Sequence, residues 1–216
     1  MAHPHWPFFD LRIVTPRLEL RYPDDDLLCR LVDVAAKGVH DPARMPFNEP
    51  WTRTPPGELE RKALQHWWTS RATLTADDWS IPFAVLEKGR VVGVQSLFSK
   101  EYSIRRSFET ESWLGIDHHG RGIGTEMRAA VLHLGFDGLD AELAETGAFE
   151  DNPESQGVTR KLGYDPNGRF LRAREGKAAG MLMYSMTRAA WQLRRRDDVT
   201  IHDLESCLAL LGLGAG

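Results

Sequence analysis

The feature that most constrains this chain is a strand that runs into a glycine-rich turn from which a helix starts. The segment reads Trp113-Leu-Gly-Ile-Asp-His-His-Gly-Arg-Gly-Ile-Gly-Thr125, with alternating glycines at Gly120, Gly122 and Gly124. Glycine lets successive backbone N–H groups converge and lets an anion approach closely. The helix behind the turn adds free N–H groups and the positive end of its dipole. The segment therefore predicts a phosphate-binding turn.

The glycine spacing excludes the two most familiar nucleotide loops. The dinucleotide pattern G-x-G-x-x-G fails because the third glycine comes one residue early, and the Walker pattern G-x-x-x-x-G-K-[ST] fails because no lysine follows. Two alternatives remain on the residues alone. The turn could merely cap a helix, or it could belong to a protein that binds a nucleotide in another way.

Length and composition indicate one large globular domain. The chain has 216 residues, 42% of them hydrophobic and 27% charged, which argues against a disordered or fibrous protein. We find no apolar run of the roughly 18 residues that a membrane helix needs, and no apolar signal-peptide core. With only two cysteines, Cys29 and Cys207, we expect a reducing, cytoplasmic location. A net charge of -4 makes a nucleic-acid partner unexpected.

Hydrophobic periodicity predicts a mixed α/β chain with a mostly antiparallel sheet flanked by helices. The predicted elements are an edge strand at 18–21, helices at 24–37 and 58–71, a hairpin of 79–86 and 91–99, a strand at 108–116, a helix at 125–136, a strand at 141–149, a helix at 153–162 and a strand at 181–187. Proline is tolerated in an edge strand better than in a central strand, so Pro16 favours an edge position for the strand at 18–21. Near the C-terminus, 201–211 are compatible with a last amphipathic helix.

The residues 38–57 contain five prolines together with Phe47 and Trp51. A segment this long and this rich in proline is more than a plain connector. It is either an irregular surface crossing with two aromatic anchors or a wall of a binding cleft, and the sequence favours neither.

Two histidine motifs carry little weight. His133 and Asp137 form a His-x-x-x-Asp motif of a kind found at some catalytic sites, but on the predicted helix they are i,i+4 neighbours, which explains the spacing without catalysis. His118 and His119 have no cysteine or carboxylate ligands at zinc spacing. We therefore predict no metal site.

Several motifs together resemble the GNAT N-acyltransferase superfamily and, within it, the RimJ/RimL-like branch. The turn His119-Gly-Arg-Gly122-Ile-Gly124 is similar to the superfamily's acyl-CoA pyrophosphate loop, Gln/Arg-x-x-Gly-x-Gly/Ala, with His at the first position. The other motifs resemble the branch in the same order along residues 11–192. They are Thr15-Pro-Arg-Leu18, Trp113-Leu-Gly115, Asn152-Pro-Glu-Ser155-Gln-Gly-Val158 with Lys161-Leu-Gly-Tyr164, and Met183-Tyr-Ser-Met186 with Trp191.

The resemblance implies the GNAT fold in a single domain over 1–192, with 193–216 as a tail that leaves room for a homo-oligomer. It implies transfer of an acyl group, acetyl before succinyl, from acyl-CoA to a primary amine by direct attack in a ternary complex. That amine would belong to a protein N-terminus, a lysine or a small molecule. Acyl-CoA would be a co-substrate, with no metal. An acyl-CoA-binding regulatory module without catalysis is the alternative.

The resemblance also implies which residues hold acyl-CoA. The strand would pair with the pantetheine arm, one N–H between Leu114 and Ile116 would face the thioester oxygen, and the turn would hold the diphosphate. The implied set is Leu114, Gly115, Ile116, His119, Gly120, Arg121, Gly122, Ile123, Gly124, Thr125, Asn152 and Ser155. If an arginine reaches the acyl end, a carboxylated donor such as succinyl-CoA becomes an option; the candidates are Arg105, Arg106, Arg172 and Arg174.

Acyl transfer to an amine needs a neutral nucleophile, a stabilised oxyanion and a proton for the leaving thiolate. The resemblance implies Ser155 as the donor to sulfur, although its position equally fits the first turn of a helix. Asn152 would support the pantetheine, and it also fits a helix N-cap. Tyr164 is an alternative acid or a packing residue.

Three carboxylates are candidates for the general base. Glu111 and Glu109 share the side-chain parity of Trp113 on the strand before the turn, and Glu175 lies roughly where the branch carries a site carboxylate. On the residues alone, a solvated surface charge is the favoured interpretation of each. The acceptor would meet residues 41–51, where Asp41 and Glu49 could hold a cationic amine.

Overall fold

A nine-stranded sheet forms the body of the protein over residues 3–214, the part of the chain that the computed structural model describes. The strands are β1 (Arg12–Val14), β2 (Leu18–Arg21), β3 (Trp79–Glu87), β4 (Arg90–Ser99), β5 (Ser107–Leu114), β6 (Leu143–Phe149), β7 (Asp165–Arg174), β8 (Lys177–Thr187) and β9 (Thr200–His202). The helices are α1 (Asp25–Ala36), α2 (Glu58–Ala72), α3 (Tyr102–Arg105), α4 (Ile123–His133), α5 (Pro153–Leu162), α6 (Arg188–Gln192) and α7 (Glu205–Leu208).

The strands lie in the order β7-β8-β6-β5-β4-β3-β2-β1-β9. Every neighbouring pair is antiparallel except β5 and β6, which are parallel. This confirms the predicted mixed α/β class with a mostly antiparallel sheet. Within residues 3–214, no helix has the length and apolarity that crossing a lipid bilayer requires.

Helices cover both faces of the sheet because its central strands are apolar on both sides. On β3, Phe83 and Val85 belong to the core that includes α4, whereas Ala84 and Leu86 pack with α1 and α2. Successive side chains of a strand point to opposite faces, so a strand covered on both faces is an almost continuous apolar run. The glycine turn lies between the end of β5 and the start of α4, the helix that packs on the Phe83 and Val85 face.

Local chemistry sets most of the element boundaries where the sequence predicts them. The Asp24 carboxylate accepts a hydrogen bond from the Leu27 N–H at 2.8 Å and caps α1. Gly163 ends α5 in the left-handed conformation, with φ of 89°. Lys88 and Gly89 both have positive φ, the geometry of a tight hairpin turn between β3 and β4.

The first predicted strand does not lie at an edge. β2 is hydrogen-bonded to β3 on one side and β1 on the other, and β9 pairs with β1, with Ile13 opposite Ile201. Pro16 lies in the turn between β1 and β2 rather than in a strand, so it places no restriction on the sheet. The edge prediction was therefore wrong.

The C-terminal part contains two strands that the sequence did not reveal. β7 is exposed along nearly its whole length and therefore shows no apolar alternation; its pairing with β8 is interrupted between Pro166 and Arg169. β9 occupies the start of the 201–211 segment, and helix is confined to α7 and a following 3-10 turn (Ala209–Leu211). Each of these strands forms because it pairs with a neighbouring strand, β8 for β7 and β1 for β9, and not because of its own hydrophobic pattern.

Candidate active site

A wedge opens between β5 and β6. The two strands pair over only three residues, up to Glu109 opposite Glu145, and then separate. Near the point of separation, the Thr146 hydroxyl donates to the Thr110 carbonyl at 3.3 Å. From Thr110 to Leu114, β5 remains paired with β4 on its other side. This part of β5 therefore presents unpaired backbone groups to the wedge.

The Leu114 N–H is the donor that faces the wedge at the end of β5. The Gly115 N–H donates to the Val92 carbonyl at 2.9 Å, and the Ile116 N–H donates to the Gly38 carbonyl at 3.0 Å. Because hydrogen-bonding direction alternates along an antiparallel strand, the Leu114 N–H points away from β4. Of the three N–H groups expected near the thioester oxygen, those of Gly115 and Ile116 already have acceptors, and the Leu114 N–H is the one that faces the wedge.

The glycine turn forms a nest of N–H groups at the start of α4. Gly120 and Gly122 have φ of 72° and 77°, a conformation that favours glycine. No side chain caps α4, and its first intrahelical bond runs from the Glu126 N–H to the Gly122 carbonyl. The N–H groups of residues 122–125 therefore have no helical acceptor. Such an arrangement is a binding site for an anion.

The nest has open space in front of it. A Cβ built on Gly120 would meet nothing within 4 Å. A Cβ on Gly124 would lie 3.6 Å from Val158 and 3.9 Å from Leu114, which is ordinary contact. Gly124, in the first turn of α4, thus faces α5 and the end of β5. There is room for one methyl group, in agreement with the Gly/Ala position of the motif.

Side chains around the turn hold it in this shape. The His119 Nε2 lies 3.0 Å from the Leu114 carbonyl and ties the turn to the end of β5. The Arg121 guanidinium donates to the Glu87 carboxylate at 2.6 Å and contacts His118 at 3.3 Å. His119, which replaces the Gln or Arg of the motif, therefore has a structural partner in the strand.

Ser155 lies in the first turn of α5. The Asn152 side chain accepts from the Ser155 N–H at 3.1 Å, so Asn152 is the N-cap that its position predicted. The Ser155 side chain is half-buried, and its hydroxyl has no partner among residues 3–214. A free hydroxyl at a helix N-terminus is available to donate a hydrogen bond to a substrate atom.

Tyr164 is enclosed by the protein. Its side chain is buried, its hydroxyl has no partner among the described residues, and burial raises its pKa to about 12. The neighbouring Arg128 is also buried, and the desolvation lowers its pKa. Tyr164 therefore belongs to the packing between helices and sheet, and Ser155 is the candidate acid with a partly exposed side chain.

Glu111 is the carboxylate best suited to act as a base. It is exposed to solvent, yet enough protein surrounds it that desolvation raises the pKa of its carboxyl. The charge of Glu109 raises this pKa further, and His66 on α2 opposes the shift. The pKa of Glu109 is also raised, first by desolvation and then by Glu145. Carboxyls with raised pKa values in a cleft are typical of acid–base sites.

Glu175 helps to join two segments beside the wedge. It lies at the tip of the β7–β8 hairpin with φ of 48°, and its carboxylate accepts from Arg53 at 3.1 Å. A second ion pair joins Arg44 to Glu154 at the start of α5, at 2.9 Å. The proline-rich segment 38–57 is thus tied to both the hairpin and α5.

The proline-rich segment also forms an aromatic wall against β5. The ring centroids of Phe47 and Trp51 are 5.1 Å apart, and those of Trp51 and Trp113 are 6.0 Å apart. Asp41 accepts locally from the Ala43 N–H, and Glu49 is exposed. Phe47 and Trp51 are therefore anchors and part of a wall on the Glu111 side of β5.

Three of the four arginines considered for a carboxylated acyl group already hold a carboxylate, and the fourth stacks on an aromatic ring. The pairs are Arg105–Glu145, Arg106–Asp140, Arg174–Asp151 and Arg172–Phe170.

The His133–Asp137 pair behaves as a helical neighbour pair. The His133 Nε2 lies 3.5 Å from the Asp137 carboxylate, and the imidazole packs against Trp191. Within 3–214, no three His, Cys, Asp or Glu side chains converge as ligands of a metal ion would.

Comparison with known proteins agrees with this geometry. Residues 17–165 match the family described as acetyltransferase (GNAT) domain. A solved structure of RimL, the ribosomal L7/L12 alpha-N-protein acetyltransferase, in complex with coenzyme A has 20% identity and a TM-score of 0.63; the match covers 82% of this chain and 97% of RimL.

Two further structures share the fold. A GCN5-related N-acetyltransferase from Brucella melitensis has 21% identity and a TM-score of 0.65, with 84% of this chain and 80% of that one covered. The spermidine/spermine N-acetyltransferase SpeG from Vibrio cholerae has 15% identity and a TM-score of 0.63, with 83% of this chain and 99% of SpeG covered. The family match spans well over half of the sequence, and the chain belongs to the GNAT acetyltransferase family.

Proposed function

We propose that this protein transfers an acyl group, acetyl in the first instance, from acyl-CoA to a primary amine. The observation that carries the proposal is the continuity of two open backbone surfaces. The unpaired edge of β5 leads along the wedge to the glycine turn, where the N–H groups of 122–125 have no acceptor within the helix. An extended thioester with a diphosphate at its far end matches both surfaces.

In this proposal the diphosphate lies in the nest and the pantetheine arm runs along β5 in place of the missing β6 pairing. Gly120 and Gly122 shape the nest through their positive φ, Gly124 lies in the first turn of α4, and residues 122–125 supply the N–H donors. The Leu114 N–H stabilises the thioester oxygen as it becomes an oxyanion. His119 and Asn152 support these groups by holding the turn and the start of α5.

The chemical step forms a C–N bond and breaks a C–S bond. Glu111, directly or through water, accepts a proton from the amine, whose nitrogen then attacks the thioester carbon. The tetrahedral intermediate collapses with expulsion of the thiolate, which receives a proton from the Ser155 hydroxyl. Ser155 regains a proton, through water, from the attacking nitrogen, which thereby becomes the neutral amide. Glu175 lies at the edge of the acceptor side, in an ion pair with Arg53, and we assign it to acceptor binding rather than to proton transfer.

The preferred acceptor amine is the one with the lower pKa, because it loses its proton more easily. An α-amine has a pKa of about 8 and a lysine amine about 10.4, so deprotonating lysine at neutral pH costs roughly 3 kcal/mol more. A solvent-accessible carboxylate is a weak base, and it therefore favours α-amines and other amines of low pKa. The aromatic wall and the Glu109–Glu111 pair lie on the same face of β5 and would meet this amine.

A first experiment separates catalysis from simple binding. Release of free thiol is followed with acetyl-CoA and succinyl-CoA against an N-terminal peptide, a lysine peptide and spermidine, acceptors chosen to span α-amines, lysine and polyamines. Ser155→Ala should lower kcat about tenfold or more while the Kd for coenzyme A stays unchanged. Ser206→Ala, an exposed serine on α7, is the matched control.

The regulatory-module alternative has its own signature. Coenzyme A would raise Tm, yet no acyl donor would be turned over with any acceptor. Better protection by ATP or NAD than by coenzyme A would instead favour a nucleotide-binding protein.

Cys29 and Cys207 are free thiols, which fits the cytoplasmic location that we propose.

A further inference from the structure

Arg17 reaches the glycine turn from a distant part of the sequence. It lies in the turn between β1 and β2, within the Thr15-Pro-Arg-Leu18 motif to which the proposed chemistry gives no part. Its Nη1 donates to the Arg121 carbonyl at 3.1 Å. Its Nη2 lies 3.5 Å from the point where a Cβ on Gly122 would stand. The guanidinium therefore contacts the backbone of the nest itself.

Glu126 on α4 holds Arg17 in this place. One carboxylate oxygen accepts from the Thr15 hydroxyl at 2.6 Å and from the Arg17 N–H at 3.2 Å, and the other accepts from the Arg17 Nε at 2.6 Å. Glu126 is only 6% exposed. Burial alone would raise the pKa of its carboxyl, but the bonds from Thr15 and Arg17 outweigh it and lower the pKa. The carboxylate is thus an ionised anchor with all its donors on the β1–β2 turn.

The contact with Arg121 has a directional consequence. In a trans peptide the C=O and N–H groups point in opposite directions, and the described residues contain no cis peptide. When Arg17 holds the Arg121 carbonyl, it turns the Gly122 N–H of the same peptide plane the other way. Gly122 has positive φ and no Cβ to restrict this peptide, so the bond from Arg17 favours the observed orientation over the flipped one.

We propose that Arg17 is a positioning residue for the diphosphate nest, aimed at the Arg121–Gly122 peptide by the buried Glu126 carboxylate. This inference rests on the proposed function, because it takes the ligand of the nest to be the diphosphate of acyl-CoA. Arg17 acts through the backbone, so its effect is confined to ligands that carry the diphosphate. The Thr-Pro-Arg-Leu motif thereby has a role at a site more than one hundred residues further along the chain.

The test compares two acyl donors that differ only beyond the pantetheine. Acetyl-CoA carries the diphosphate, and acetylpantetheine has the same thioester without it. For Arg17→Met we expect KM for acetyl-CoA, and the Kd for coenzyme A, to rise about tenfold, the loss typical of one charge-assisted hydrogen bond. We expect kcat with acetyl-CoA to stay within about threefold, and kcat/KM with acetylpantetheine to be unchanged. Arg17→Lys, which keeps the charge but not the fork, should recover part of the loss.

Controls keep the result specific. Arg12→Met removes another exposed arginine, on β1, and should leave both donors unaffected. If Arg17→Met is unstable because Glu126 is left buried and unpaired, the double variant Arg17→Met/Glu126→Gln removes both charges and reports the same donor comparison. An equal loss with both donors, or no loss with acetyl-CoA in a folded variant, overturns the inference. Failure of the wild-type protein to bind coenzyme A or turn over any acyl donor would instead overturn the proposed function.

Discussion

Replacing Gly122 by alanine tests the shape of the nest. Gly122 has φ of 77°, and a left-handed conformation costs an L-residue roughly 1–2 kcal/mol. The added Cβ would lie 3.5 Å from Arg17, so the cost comes from the backbone rather than from a clash. In the Gly122→Ala variant the turn either keeps its conformation, and the protein loses stability, or relaxes to another conformation. In the second case the original conformation must be restored when the ligand binds, which weakens binding.

The conformational cost of alanine is divided between folding stability and ligand binding. We expect the loss in free energy of unfolding and the loss in coenzyme A binding together to amount to about 1–2 kcal/mol. If the whole cost falls on binding, Kd rises about 5- to 30-fold. Urea denaturation measures the first quantity and calorimetric titration with coenzyme A the second.

Gly124→Ala is the matched control. Gly124 is helical, and its Cβ would make only ordinary contacts with Val158 and Leu114. We expect its Kd for coenzyme A to stay within about threefold of the wild type, since an alanine costs nothing in a helix. The reasoning would be refuted if Gly122→Ala changed neither stability nor Kd, or if Gly124→Ala weakened binding as much as Gly122→Ala.

Three further predictions concern the Glu111 carboxylate, two helical glycines and the acceptor amine. Glu111→Gln should lower kcat/KM at neutral pH and should remove the additional fall that the wild type shows as pH drops through the raised pKa of the Glu111 carboxyl. Because the folded state raises this pKa, the ionised carboxylate opposes folding at higher pH, and the variant should melt no earlier than the wild type at pH 7. Gly135→Ala should lose roughly 1–3 kcal/mol of stability in urea, since its Cβ would overlap the Phe108 ring, whereas Gly157→Ala on α5, with open space, should gain up to about 1 kcal/mol. An N-terminal peptide should be acylated faster than a lysine peptide at pH 7, and the ratio should shrink as pH rises; a constant ratio would exclude amine deprotonation as the source of the preference.

The sequence predicted the glycine turn and the ends of the helices because these depend on neighbouring residues. Asp24, Asn152 and Gly163 act within four residues of their own positions, so a single sequence contains the whole interaction. The alternating glycines likewise need only their own φ angles and the helix that follows. Such features are legible without knowledge of tertiary contacts.

Other features depend on distant partners and could not be predicted. β7 is a strand because β8 pairs with it, although its own residues include Pro166 and Gly168 and are largely exposed. The raised pKa of Glu111 depends on the tertiary packing that desolvates its carboxyl. Ile116 could not be separated from Leu114 as a donor until its bond to the Gly38 carbonyl was known.

The role of Arg17 falls between these two cases. The Thr-Pro-Arg-Leu motif was visible in the sequence, but its partner Glu126 lies on another element and has no spacing rule that would link them. Only the packing of the β1–β2 turn against α4 brings the guanidinium to the Arg121 carbonyl.

The most direct test of the account is a crystal structure of the protein with coenzyme A bound. The account predicts diphosphate oxygens within hydrogen-bond distance of the N–H groups of residues 122–125, and the pantetheine arm in the wedge beside Leu114. Coenzyme A bound elsewhere, with the nest empty or its N–H groups turned away from the ligand, would contradict it.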